Sequence, residues 1–188
     1  GLAKAVQHAR EAAHAMLRDW LASAAFRQTT IDLAWLCGSN SWHATLGPEE
    51  RASSTLTPTD FAAQVLQRRW KKLSAAGKSI ATLEVRALHD LRLRTKRARY
   101  AMEIFIPASD AKPAHRLIRR LSQLQQHLGT LNDCAVATGL LAHLGGPGTR
   151  HGYAVGLVIG YLSAAAETER PHIIAAWKKI RRHARFWT

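Results

Sequence analysis

One histidine with cations at fixed intervals behind it is the part of this chain best suited to chemistry. His89, Arg92, Lys96 and Arg99 follow one another at offsets of three, four and three within "ALHDLRLRTKRARYAMEIF", residues 87–105. At about 100° per helical residue, that spacing puts all four in one narrow sector. Glu103 extends the sector, and Arg97 and Arg94 flank it. A guanidinium offers a planar fork to phosphate-type oxygens, an ammonium a point charge, and an imidazole a hydrogen-bond donor. Leu91, Ala98, Met102 and Phe105 fall away from the sector, so the expectation is a basic ridge opposite a core stripe. Like charges at these spacings cost a few tenths of a kcal/mol per pair. Solvated helix faces usually mix signs, yet residues 68–99 hold 11 Lys or Arg and only two acids, Glu84 and Asp90.

Other segments repeat the arrangement. Arg68 and Lys72 share a sector with Gln64 and Lys71. Arg116, Arg119 and Arg120 share one with Gln123 and His127, and the last helix carries Lys178, Arg181, Arg182 and Arg185. If neighbouring helices align these sectors, they form one positively charged surface or groove. The whole chain supports that reading, with 27 Lys and Arg, 13 Asp and Glu and a formal net charge of +14. Such a charge attracts polyanions: nucleic acid, an anionic membrane or a phosphate polymer. Base readout needs side chains at base edges or interleaved aromatics. Only Tyr100 lies near the ridge, so nucleic acid is the weaker partner.

The elements that must hold these faces are all helical. Val6, Ala9, Ala13, Met16, Leu17, Trp20, Leu21 and Ala24 recur three and four apart in a pattern that runs from 2 to about 36, with a bend near Ser23. Residues 38–57 read as a loop. Thr57 with Pro58, or Thr59, starts a helix that Gly77 stops. Thr82 is expected to cap the next, which stops at about Ile106 before Pro107. A helix from Asp110 or Pro113 ends at Gly129, and a short one begins at Asn132 or Asp133 and ends at Gly145–Gly148. Helices over about 150–168 and 171–187, with Pro171 in a first turn, complete the chain. No alternating strand pattern appears. The fold expected is a single all-α domain, 1–188, of antiparallel helices with short connections.

Several chemistries find no residues. Cys37 and Cys134 lie far apart, with no disulfide framework and no metal spacing, which fits a reducing compartment. No His pairs with Cys at zinc spacing, so no metal or cofactor is expected. No apolar run is long enough to span a bilayer, and the first residues lack the h-region of a signal peptide, so a cytoplasmic location is expected.

The segment "LHDLRLRTKRARYAMEIF" resembles the signature of the CHAD family, the conserved histidine α-helical domain. The matching positions are His89, Arg92, Lys96, Arg99, Tyr100 and Glu103. A second element, "LQQHLGTLNDCAVATGLLAHL" at 124–144, resembles the family's Leu-Gln, Leu-Gly and Asn-Asp pattern, and "FAAQVLQRRWKKL" and "ARFW" look similar to it too. The family domain has two similar helical halves. This chain looks like the C-terminal half, with residues 1–36 resembling the segment between halves. That likeness predicts exposed apolar surface, or a homo-oligomer or an N-terminal half covering it. The resemblance also implies binding of inorganic polyphosphate, association with polyphosphate granules, and no enzymatic activity. It carries the binding role to His89, Arg92, Lys96 and Arg99. The wheel adds Arg97, Arg68, Lys72, Arg116, Arg119 and Arg120.

"LHDLR" is also similar to the phosphoacceptor box of sensor histidine kinases, with Asp90 beside the His. The Pro usual after the Arg is absent, and so is any ATP-binding module. Gln125 reads as a buried amide, Asn132 and Asp133 as caps at a helix start, and Glu103 as a partner for Arg99. Trp70, Trp177 and Trp187 read as packing residues.

Overall fold

A computed structural model describes residues 1–39, 41–105, 112–146, 148–182 and 187. The chain is all-α, with no strand among the described residues, and divides into two units, Gly1–Leu56 and Thr57–Thr188. No described helix is long and apolar enough to cross a membrane.

The first unit holds α1 (Leu2–Leu21), α2 (Ala24–Ser39), a 3₁₀ turn (Ser41–Thr45) and α3 (Pro48–Ser54). The expected bend lies at Ala22 and Ser23. There Ser23 Oγ accepts a bond from the Phe26 amide at 3.2 Å, and the Trp20 and Phe26 rings meet at 4.9 Å. The segment read as a loop over 38–57 contains two helical pieces. Pro48 sits in the first turn of α3, and the Gly47 amide donates to Glu50 Oε2 at 2.7 Å, which is enough to start a short helix. None of this unit's described residues is buried. Met16 and Trp35 are 73% and 63% exposed.

The second unit is a row of helices: α4 (Pro58–Ala76), α5 (Val85–Phe105), α6 (Lys112–Leu144) and α7 (Gly152–Arg181). Each runs against its predecessor. Phe61 at the start of α4 meets Phe105 at the end of α5; His89 and Arg99 of α5 meet Asn132 and Gln125 of α6; Arg120 and His127 of α6 meet Lys179 and Glu169 of α7. Leu66, Leu73, Leu88, Leu91, Ala98, Met102, Leu117, Leu121, Leu124, Leu128, Ile173, Trp177 and Ile180 form one core. Thr57 caps α4 as expected, its hydroxyl accepting from the Asp60 amide at 3.2 Å. Gly77 ends that helix against the Trp177 ring, where a Cβ would lie 2.1 Å from a ring carbon.

Three helix boundaries differ from the sequence reading. Thr82 lies in a 3₁₀ turn (Ile80–Thr82) and bonds back to the Ser79 carbonyl, and α5 begins three residues later. α6 runs unbroken through Gly129, because Leu128 and Leu131 on either side are both buried and hold the chain helical. Asn132 and Asp133 are therefore mid-helix residues and not caps. α7 runs unbroken through Pro171. An interior proline costs about 3 kcal/mol. Burial of Ile173, Trp177 and Ile180 beyond it offsets that cost, and Arg170 ties this turn to the Ala81 and Leu83 carbonyls. The expected boundaries at Ile106, Pro107 and Asp110, Pro147 and the cation Arg185 lie outside the described residues.

The expected exposed apolar surface is present. Besides α1 and α2, the far ends of α6 and α7 expose Leu140, Tyr153, Leu157 and Tyr161.

Candidate functional site

The ridge on α5 does not stand opposite the core. Leu88, Leu91, Thr95, Ala98 and Met102 are buried, and His89, Arg92, Lys96 and Arg99 lie along one edge of that stripe, in the seam with α6. The wheel misplaced it because Leu88 and Thr95 widen the core stripe toward the ridge. Thr95 can be buried because its hydroxyl bonds to the Leu91 carbonyl at 2.8 Å.

Both ends of the seam are fixed from α6. His89 Nδ1 lies 2.6 Å from Asn132 Oδ1. An amide oxygen only accepts, so Nδ1 carries the hydrogen and Nε2 is left for a ligand. At the other end, Arg99 donates from Nε to Gln125 Oε1 at 2.9 Å and pairs with Glu103, as its four-residue spacing suggested. Its guanidinium also lies over the Tyr100 ring, 4.5 Å from the centroid. Between these ends, Arg92 crosses α6 at Gly129, where an added Cβ would stand 3.9 Å from Nε. That nitrogen is shut off from solvent and has no partner among the described residues. Lys96 Nζ lies over the Tyr100 ring, 5.9 Å from its centroid. Four positive or chargeable groups thus span residues 89–99, ten helical steps or about 15 Å.

A second basic site lies on the other edge of α5. Arg69 and Lys72 of α4 and Arg94 and Arg97 of α5 line a pocket of about 400 Å³, with Asp90 and Leu93. Arg97 and Lys72 were expected site residues. Arg69 and Arg94 were not, although each stands three residues from a residue that was. Two cation pairs at i, i+3 on consecutive antiparallel helices are the signal that finds this pocket. Arg68 is exposed on α4 but does not line it.

The α6 sector does not join either edge. Arg120 donates to the Lys179 carbonyl at 2.8 Å, near the C-terminal end of α7, where a cation meets unpaired carbonyls and the negative end of the helix dipole. His127 meets Glu169 of α7 at 2.8 Å. The seam with α5 uses Asn132, Gly129 and Gln125, a different face of α6. Gln125 and Asn132, spaced seven apart and so on one face, are the seam partners that sequence reading treated as a structural amide and a cap. Arg116 and Arg119 are exposed and line a separate pocket of about 630 Å³ with Lys112, His115 and Ile118.

The charge is unevenly distributed and barely compensated. Residues 1–56 hold five Lys or Arg and five acids, while residues 57–188 hold 22 and 8. Among the described residues, Arg99–Glu103 is the one ion pair between a Lys or Arg and a carboxylate. A surface with so many uncompensated cations draws its counter-charge from solution.

The sequence pattern of the CHAD domain matches residues 1–142. No curated protein and no solved structure gives a significant match to the chain. The matched span includes all of α5, both helices that flank it, and the histidine and cations of the seam. By the match over 1–142, the chain belongs to the CHAD domain family.

Proposed function

We propose that this chain is a binding module for inorganic polyphosphate, without catalytic activity, and that the polymer lies along the two basic edges of α5. The observation that carries the reading is how few of the cations are compensated: residues 57–188 hold 22 Lys and Arg against 8 acids, and one Arg–carboxylate pair is found among the described residues. Linear phosphate chains fit because the cations are arranged in rows along helices and not around a single deep point. The family resemblance supplies the polymer's identity, and with it an association with polyphosphate granules. Nucleic acid fits less well. Tyr100, which flanks the ridge, already holds a guanidinium over one face of its ring, and that contact competes with base stacking there.

His89 contributes through Nε2. With Nδ1–H held by Asn132, Nε2 of the neutral ring has no hydrogen to give, and phosphate oxygens in the polymer are acceptors. Donation through Nε2 requires hydrogen on both ring nitrogens.

The test is competition. Long-chain polyphosphate bound to the full chain is challenged with duplex DNA at equal phosphate concentration. The expected result is retention of polyphosphate. Displacement by DNA to the same extent as by polyphosphate contradicts the reading and assigns the surface to polyanions in general.

A further inference from the structure

A cluster on the opposite side of α6 from the seam lies apart from both basic edges of α5. His127 of α6 and Glu169 and His172 of α7 bring one donor atom each to within 4.8 Å of one another. His127 Nδ1 stands 2.8 Å from Glu169 Oε2, His172 Nδ1 stands 4.0 Å from the same oxygen, and the two imidazole rings are 5.4 Å apart. We infer that these three residues form a binding site for a divalent transition-metal ion of the zinc type.

The local structure explains the juxtaposition. Glu169 and His172 are three residues apart on α7 and therefore share a face. His127 reaches the same point from the neighbouring antiparallel helix. Pro171 lies between the two α7 ligands, and Arg170 beside them binds the Ala81 and Leu83 carbonyls, so this turn is fixed on both counts. Glu169 is also an unusual acid. In a strongly cationic unit its carboxylate faces two imidazoles, with no Lys or Arg pair among the described residues.

The dimensions and donor types select the ion. A tetrahedral zinc ion with bonds of about 2.0–2.2 Å needs its donors about 3.4 Å apart. The separations of 2.8 and 4.0 Å stand on either side of that value, so small side-chain rotations suffice. Two imidazole nitrogens and one carboxylate oxygen are borderline donors that suit zinc, copper or nickel. Magnesium and calcium require oxygen-only sets. Three protein ligands leave one position for water or an anionic oxygen. His172 is 63% exposed, so an ion reaches the site without unfolding. Cysteine-based zinc spacing cannot find this cluster in sequence, because its ligands are histidines and a carboxylate separated by 42 residues of chain.

Calorimetric titration of the full chain with Zn²⁺, in buffer free of phosphate and chelators, tests the site apart from polyphosphate binding. The expected result is one site that His172→Ala and Glu169→Gln each weaken at least tenfold, with no comparable binding of Mg²⁺. Zn²⁺ should also raise the melting temperature of the wild-type chain and not of the variants, since an ion bound only to the folded state stabilises it. The chain has eight other histidines. Equal Zn²⁺ affinity in the wild type and both variants would assign the binding to those and overturn the site, as would equal affinity for Mg²⁺. His172 is exposed, so a melting temperature of His172→Ala equal to wild type without metal shows that the loss is not misfolding.

Discussion

The two edges of α5 carry similar charge and are built differently. On the α6 edge, the histidine and the last arginine are held by Asn132 and Gln125, Glu103 neutralises part of the charge, and Arg92 is partly buried over a glycine. On the α4 edge, Arg69, Lys72, Arg94 and Arg97 converge on an open pocket with one acid and no ion pair among them. Held side chains lose little entropy on binding but have less free charge. Unheld ones keep their charge and pay more to become ordered. For a polymer whose affinity comes mainly from counterion release, uncompensated charge weighs more. The α4 edge is therefore expected to supply the larger share of the proposed affinity, and the α6 edge its geometric definition.

Removing each edge separately exposes the difference. Replacing Arg69, Lys72, Arg94 and Arg97 together with Ala is expected to weaken polyphosphate binding about 100-fold near 0.1 M salt. It should also flatten the slope of log affinity against log salt by about 3. Replacing Arg92 and Lys96 with Ala is expected to cost about tenfold and to lower the slope by about 1.5. Filter retention or anisotropy across a salt series measures both. Equal losses from the two sets would erase the distinction.

The smaller contrast lies in stability. Arg99→Ala leaves the Gln125 oxygen and the Glu103 carboxylate without their partner, at a cost of about 1–2 kcal/mol. Arg97→Ala breaks no hydrogen bond or ion pair among the described residues and should stay within about 0.5 kcal/mol of wild type. Urea unfolding of the two variants gives both values. A destabilised Arg97→Ala, or an unchanged Arg99→Ala, would show that the edges do not differ in the way described.

Much of this was legible in the sequence. Helical period, the Thr57 cap, the bend near Ser23 and the Arg99–Glu103 pair all follow from local rules, and the structure has each of them. The helix ends at Gly129 and Pro171 were misread for one reason. Local breakers favour an end, but buried leucines and a buried tryptophan on either side outweigh them, and that burial is a tertiary effect. The ridge was read correctly as a row but placed wrongly, because a wheel shows which residues share a face and not which helix the face meets. Arg69 and Arg94 entered no site because their pocket exists only when α4 and α5 lie side by side. The bond from Arg120 to the Lys179 carbonyl was not legible, because it exists only when the end of α7 lies beside α6.

The two units differ as plainly as the two edges. Residues 1–56 are charge-balanced and bury none of their described side chains, whereas residues 57–188 hold the core and the whole charge excess. Composition averaged over the chain hides this division.

The central claim is most directly tested by locating phosphates bound to the protein. A crystal structure of the full chain with a short polyphosphate should place phosphate groups within hydrogen-bonding distance of Arg69, Lys72, Arg94 and Arg97, with further density along Arg92 and Lys96. Phosphates confined to the Arg116 and Arg119 pocket, with both edges of α5 empty, would contradict the account.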